Sequence, residues 1–386
     1  MNLRFIIFIS IFAIMNVYAF SRIITRWQWA KEHYAVAWSV VVLIFMLELL
    51  APLGDRMFLP RLKSELGMAW LFIAVNWVSY TVFGMVTLLA AYGIITDVGA
   101  MVWRFIAPPT DAVDMERRVL LTLGVLTVGS TVLGIGQAHA EPNVKEVKVP
   151  IKDLPEQFEG FRIAQISDLH VGPTIGRRFA QTVVNRVNLL DADIVALTGD
   201  FTDGHVKDLK NDIAPIAELK SKYGVYYVTG NHEYYWDAVG WVEEFEKMGA
   251  KPLINKHEKL NVGGAEIALG GVSDYSTRNY GALHASSPKK AFDGVPESMT
   301  KILLAHQPNS YEEAYKAGVD LQLSGHTHAG QYFPFSLLIP FFQKYYKGLN
   351  RHKDMWVYVN TGTGYWGPPM RAGVPSEITL LTLHKA

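Results

Sequence analysis

Ser324-Gly325-His326-Thr327-His328 closes the short run Gly318-Val-Asp-Leu-Gln-Leu. The run reads as a strand and the five residues as the tight loop it feeds. Two histidines two positions apart cannot share a helix face, yet both can reach one cation cluster from a loop at a strand end. An isolated His-x-His is more often an ordinary surface loop. Its meaning therefore depends on whether other strand ends of the same chain supply ligands.

Working outward, strands and helices alternate from Val144 onward. Val144 to Ile151 and Phe161 to Ser167 read as strands, Arg177 to Leu190 as a helix, and Ala192 to Leu197 as a buried strand. Val206 to Lys220 reads as a helix, Val225 to Val228 as a strand, and Ala238 to Met248 as a helix. Beyond Lys251 the pattern turns mainly to strands, among them Lys301 to Ala305, Leu321 to Leu323, Met355 to Val359 and Glu377 to Leu383. Alternation followed by strands predicts a layered α/β domain, a β-sandwich flanked by helices.

Polar groups gather just past these strands, where α/β sheets place their sites. Asp168 and His170 follow the first, Gly199-Asp200 with Asp203 the second, and Gly230-Asn231-His232-Glu233 the third. His306 and then His326 with His328 follow two later strands. Each piece alone has an ordinary explanation: a turn, a helix cap, a satisfied core histidine. Five such pieces at strand ends of one domain describe instead a site for two divalent metals. The chain has no cysteine, which excludes thiolate sites and leaves hard to borderline donors. Such donors suit Mn, Fe, Zn, Ni or Co without choosing among them.

This order of motifs, DxH, GDxxD, GNH(E/D), H and GHxH, resembles the calcineurin-like metallophosphoesterase family from Phe161 to the C-terminus. It is more closely similar to the membrane-linked, YkuE-like branch, in which an apolar stretch follows GHTHAGQ and a late Gly-Pro-Pro-x-Arg precedes the last strand. Gly367-Pro368-Pro369-Met370-Arg371 and Glu377-Ile-Thr-Leu fit that ending. The preceding helices are also similar to those of the vertebrate transmembrane protein with a metallophosphoesterase domain. The resemblance implies that Asp168, His170 and His328 bind one metal, that Asn231, His306 and His326 bind the other, and that Asp200 bridges them. It further implies that His232 is no ligand but assists the leaving oxygen, while Asp203 and Glu233 orient the ligands.

Gln331-Tyr-Phe-Pro-Phe-Ser-Leu-Leu-Ile-Pro-Phe-Phe-Gln follows the last ligand histidine directly. Pro334 and Pro340 argue against a central strand and for a loop that meets lipid, with Lys344, Tyr345, Tyr346 and Lys347 as its interfacial edge and Tyr365-Trp366 beside it. Arg371 and Arg278 are candidate phosphate contacts. The expected function is hydrolysis of a phosphodiester, phosphomonoester or pyrophosphate bond in a lipid-linked substrate by metal-activated hydroxide. The alternatives are a cytoplasm-facing hydrolase of a nucleotide-diphospho-lipid such as UDP-diacylglucosamine, and a non-catalytic membrane scaffold with a retained metal site.

Half of the 386 residues are hydrophobic and 19% charged, a balance too apolar for an ordinary soluble protein. The excess lies in residues 1–136, where four apolar segments, about 5–24, 34–53, 68–95 and 119–140, read as transmembrane helices. The first could also serve as a signal peptide, and reaches Ile24 if Arg22 snorkels. Arg117-Arg118 with Ala138-His139-Ala140 also resembles a twin-arginine signal, but follows three spans and reads as a retained helix. Residues 137–150 read as a linker and 151–386 as the phosphoesterase domain. Glu48, near Pro52 and Asp55, is expected at an interface. Six Lys and Arg flank the first and third loops against four at the N-terminus and second loop. That bias puts the catalytic domain on the outer, periplasmic face of a bacterial inner membrane. The net charge of zero offers nothing to nucleic acid.

Overall fold

The computed structural model describes residues 3–57, 66–106, 112–279 and 284–386. They form two compact units, Met1–Gln137 with Tyr332–Pro334 and Gly367–Ala372, and Ala138–Gln331 with Phe335–Trp366 and Gly373–Ala386.

A strand buried on both faces needs apolar residues at successive positions, and in the second unit Ile194–Thr198 has them. Two six-stranded sheets run in the orders β1-β12-β2-β3-β4-β5 and β10-β11-β9-β8-β7-β6. The first contains β1 (Asn143–Ile151), β2 (Arg162–Ile166), β3 (Ile194–Thr198), β4 (Val225–Val228), β5 (Ala250–Pro252) and β12 (Glu377–Lys385). The second contains β6 (Lys256–Val262), β7 (Ala265–Gly271), β8 (Lys301–Leu304), β9 (Leu321–Ser324), β10 (Gly348–His352) and β11 (Met355–Val359). Side chains alternate between layers with period two. Ile194, Ala196, Tyr226 and Val228 meet Ile267, Leu269, Ile302, Leu304, Leu321 and Leu323 between the sheets. Val195, Leu197 and Tyr227 face the opposite way, against Val183, Val184 and Val187 of helix Arg177–Asn188 and Trp241 and Phe245 of helix Ala238–Lys247. On the outer face of the second sheet, Leu303 and Val357 pack with Ala291, Phe292 and Ala314. Each fully buried aliphatic chain is worth about 1.5–3 kcal/mol. The unit is thus the expected sandwich with helices outside.

Several boundaries differ from the sequence reading. The stretch 137–150 is barely a linker: one helix runs to His139, and Asn143–Ile151 is a strand paired along its whole length with β12. Pro150 is tolerated there because β1 is an edge strand. The helix expected over Val206 to Lys220 ends at Ile213 and gives way to a 3-10 turn, Ala214–Glu218. Pro215 has no N–H for the Asn211 carbonyl, which accepts instead from Arg177 Nη1 at 2.7 Å. Helix Tyr311–Lys316 and strand β10 were not foreseen, being short and weakly patterned.

The first unit holds helices Leu3–Ile24, Gln28–Glu32, Tyr34–Met57 and Ala69–Ile106 and, up to Gln137, helix Ala112–His139. Three stretches, Tyr34–Gly54, Ala69–Trp103 and Arg118–His139, are long and apolar enough to cross a membrane, and Ile9–Ile24 is a shorter apolar helix. Large apolar side chains such as Leu43, Met46, Trp70, Val125 and Leu133 point outward, as lipid-facing helices require. Polar groups are satisfied inward. Pro52 leaves the Glu48 carbonyl without its helical partner, and Ser79 Oγ donates to it at 3.3 Å and to the Leu47 carbonyl at 2.7 Å. The Glu48 carboxylate is fully buried and accepts from Asn16 Nδ2 at 2.7 Å, so it lies between helices and not at an exposed helix end. Arg22 likewise does not snorkel: it is buried, pairs with Asp97 and donates to the Gly93 carbonyl. The two late segments complete this unit. Phe333 stacks on Tyr92 with ring centroids 5.4 Å apart, and Met370 packs beside Leu88. A Cβ at Gly84 would collide with Met370, so glycine there admits that side chain.

Candidate metal centre

β2, β3 and β4 are parallel in one sheet, and β7, β8 and β9 in the other. Parallel strands release their following loops at one edge. Asp168 and His170 leave β2, Asp200 leaves β3, Asn231 and His232 leave β4, His306 follows β8, and His326 and His328 follow β9. The turns are abrupt. Asp168, His170, Asp200, His326 and His328 all have positive φ, between 48° and 71°. The strands also converge closely: a Cβ at Gly199 would lie 2.6 Å from the Gly230 nitrogen.

Three overlapping clusters result: Asp168, His170 and His328; His170, Asp200 and His232; and Asp200, His306 and His326. Ligand atoms within each lie within 4.8 Å of one another, and Asp200 is common to the last two. His328 Nε2 is 3.3 Å from Asp168 Oδ1 and 3.1 Å from His170 Nε2. His306 Nε2 is 3.0 Å from Asp200 Oδ2. Asp168 is held by the His326 backbone N–H, which donates to both carboxylate oxygens at 3.0 Å. Asp200 Oδ1 accepts from the His232 N–H at 2.8 Å.

Hydrogen bonds select the tautomers. A carbonyl only accepts, so the 2.8 Å contact between His306 Nδ1 and the Thr198 carbonyl puts a proton on Nδ1 and points Nε2 inward. Asp203 Oδ1 does the same for His170 Nδ1 at 3.2 Å and also meets His232 Nδ1 at 2.5 Å. Glu233 ties the loops together, accepting from the N–H groups of Gly230 at 2.7 Å, Phe201 at 2.7 Å and Asp200 at 3.0 Å.

Electrostatics follow from this crowding. Burial alone would raise Asp168 and Asp200, but the surrounding histidines outweigh it and hold both well below the usual carboxylate range. Burial opposes charge on His232, yet Asp203 and Asp200 prevail and raise it to about 9. Burial and the neighbouring His306 push His326 down to about 3, which keeps a neutral imidazole.

These residues fit divalent cations. Asn231 Oδ1 is buried and lacks a hydrogen-bond partner among the described residues, and His306 Nε2 faces the Asp200 carboxylate at 3.0 Å. The donors are carboxylate, amide oxygen and imidazole, the set that binds borderline divalent ions. The ten residues singled out from the sequence as ligands, leaving-group assistant or supports all lie at this edge. Arg371 is fully buried and belongs to the helical unit. The Arg278 side chain lies outside the described residues. Asp274, just after β7, is buried and accepts from Gln307 Nε2 at 3.0 Å. Tyr235 was missed, although it stands three residues after His232 on one helical turn. The lipid-edge expectation also changes at two positions. Tyr345 is buried against Tyr311 and His352, and Tyr365 is buried with its hydroxyl on the Thr174 carbonyl at 2.9 Å.

A two-sheet sandwich carrying paired Asp/His clusters on its strand-end edge defines a metal-dependent hydrolase. The sequence profile of the calcineurin-like phosphoesterases matches residues 161–330. A transmembrane protein with metallophosphoesterase domain from Danio rerio is 33% identical over 403 residues, covering 100% of this chain and 90% of its own. An uncharacterised metallophosphoesterase of Campylobacter jejuni is 30% identical over 381 residues, 98% of this chain and 97% of its own. The Bacillus subtilis metallophosphoesterase YkuE is 28% identical over 286 residues, 70% of this chain and 98% of its own. The chain belongs to the calcineurin-like metallophosphoesterase family and is an enzyme of that class.

Proposed function

We propose that this phosphoesterase holds two divalent cations and cleaves a phosphoester or pyrophosphate bond in a lipid-linked substrate at the outer face of a bacterial inner membrane. In this reading Asp168, His170 and His328 would hold one ion and Asn231, His306 and His326 the other, with Asp200 shared between the two sets. Bound divalent ions would supply Lewis-acid activation of water and neutralise phosphoryl charge. The remaining work belongs to the chain. Asp203 and the Thr198 carbonyl fix the imidazoles. His232, protonated and oriented by Asp203, hands a proton to the departing ester oxygen. We assign no part to Arg371 or Arg278.

One observation carries the lipid-linked part. Phe335–Leu338 and Ile339–Phe341 form two short helical turns, and Leu337, Phe341 and Phe342 are 63%, 82% and 77% exposed. A core strand would bury them, and an apolar surface of this kind calls for a partner such as lipid.

The test uses full-length protein in detergent micelles. Metal analysis should find about two ions per chain. Hydrolysis of p-nitrophenyl and bis-p-nitrophenyl phosphate with each candidate metal defines the ester class, and lipid extracts follow. Asp200→Asn should lose both metal and turnover. Two full equivalents of metal with normal turnover in that variant would refute the bridging role. Hydrolysis of soluble esters with no phospholipid product from any extract would refute the lipid assignment.

A further inference from the structure

His232 has two aromatic neighbours that the mechanism above does not use. Tyr235 stands one turn further along helix Asn231–Trp236, on the same face, with its ring centroid 5.0 Å from the imidazole. Trp366 approaches from a segment distant in sequence, its ring centroid 5.9 Å away and nearly perpendicular at 78°. Both side chains are 51% exposed, although large aromatic residues gain most from burial.

Trp366 is held there by an unusual clamp. The Gln331 side chain accepts from the Trp366 N–H at 2.9 Å and donates to the Trp366 carbonyl at 3.0 Å. Gln331 itself stands three residues after His328, in the left-handed region at φ 60°. One amide thus ties the Trp366 backbone to the loop that carries a ligand histidine, while the indole stays open to the solvent. A doubly bonded backbone beneath a half-exposed indole suits a group that faces substrate, because its orientation is held while its surface stays available.

We propose that Tyr235 and Trp366 form the leaving-group subsite of this enzyme, taking the apolar part of the alcohol released next to His232. The proposal rests on the reading of His232 as the group that meets the leaving oxygen. An ester whose alcohol carries an apolar ring or chain would lay it against the two side chains, and a short alcohol would leave them in water. The subsite therefore selects among esters by the alcohol and not by the phosphoryl group.

Diethyl and dibenzyl phosphate release alcohols of similar acidity, so their chemistry is matched and only the apolar part differs. Metal-loaded full-length protein is followed by phosphorus NMR. The wild type should favour the benzyl ester in kcat/KM. Trp366→Ala and Tyr235→Ala should each lower the benzyl-over-ethyl ratio about tenfold, which corresponds to roughly 1.4 kcal/mol. Trp366→Phe should restore most of that ratio, and metal content should match the wild type. A ratio unchanged in both alanine variants overturns the subsite while leaving the hydrolase reading intact. So does a wild type with no benzyl preference. A wild type inert toward both esters, and toward p-nitrophenyl esters with every metal tried, overturns the hydrolase reading and the subsite with it.

Discussion

Asp168, His170, Asp200, His326 and His328 adopt a backbone conformation that non-glycine residues avoid. Each such residue costs about 1–3 kcal/mol, and sandwich packing must outweigh the sum. What is gained is direction: a chain leaving a strand turns at once and presents its side chain back across the sheet edge. His232 differs. It lies at the start of a helical turn, with its ring locked onto Asp203. His232→Gln should therefore slow turnover by roughly 10²–10⁴-fold, the usual worth of a general acid, with metal content near that of the wild type. The loss should shrink for p-nitrophenyl esters, whose leaving group needs no proton. An equal loss for p-nitrophenyl and alkyl esters would remove the general-acid role. The residue types at these positions are legible in the sequence, because ligand chemistry admits few alternatives. Their backbone strain is not legible, because it arises from strands meeting across the sheet.

At the scale of elements, β3 shows how far pattern reading reaches. Its run of apolar residues marks a strand buried on both faces, and Ile194 with Ala196 does face one layer while Val195 with Leu197 faces the other. Tyr311–Lys316 was not foreseen, since six residues carry too little periodicity. The turns at Phe335–Phe341 were expected to avoid a central strand, and they do, with helical geometry. Replacing Leu337, Leu338 and Ile339 with Ser tests what they face. Full burial of one aliphatic chain is worth about 1.5–3 kcal/mol, and partial burial in lipid less. The triple variant should lose roughly tenfold to several hundredfold in kcat/KM on a phospholipid substrate, with a much smaller change on bis-p-nitrophenyl phosphate. A common drop in both activities with a fall in melting temperature would make these residues core.

At the scale of the whole molecule, the Lys and Arg bias predicts that the second unit is periplasmic. The chain has no cysteine, so single cysteines report cleanly. Lys152→Cys, on an exposed side chain of the second unit, should react with a membrane-impermeant maleimide in cells whose inner membrane is intact. Lys31→Cys, in the first loop, should react only after that membrane is opened. The reverse pattern would turn the protein round and favour a cytoplasmic pyrophosphate substrate. By itself the sequence determined the apolar helices, the Asp, Asn and His residues at the strand ends and the family, because each rests on a local run of residue types. Only the tertiary structure decided which runs meet. His170 touches His328 across 158 residues, Gln331 clamps Trp366, and Tyr332–Pro334 and Gly367–Ala372 complete the unit of apolar helices. Those pairings depend on sheet order and close packing among residues far apart in the chain, and no local pattern encodes either.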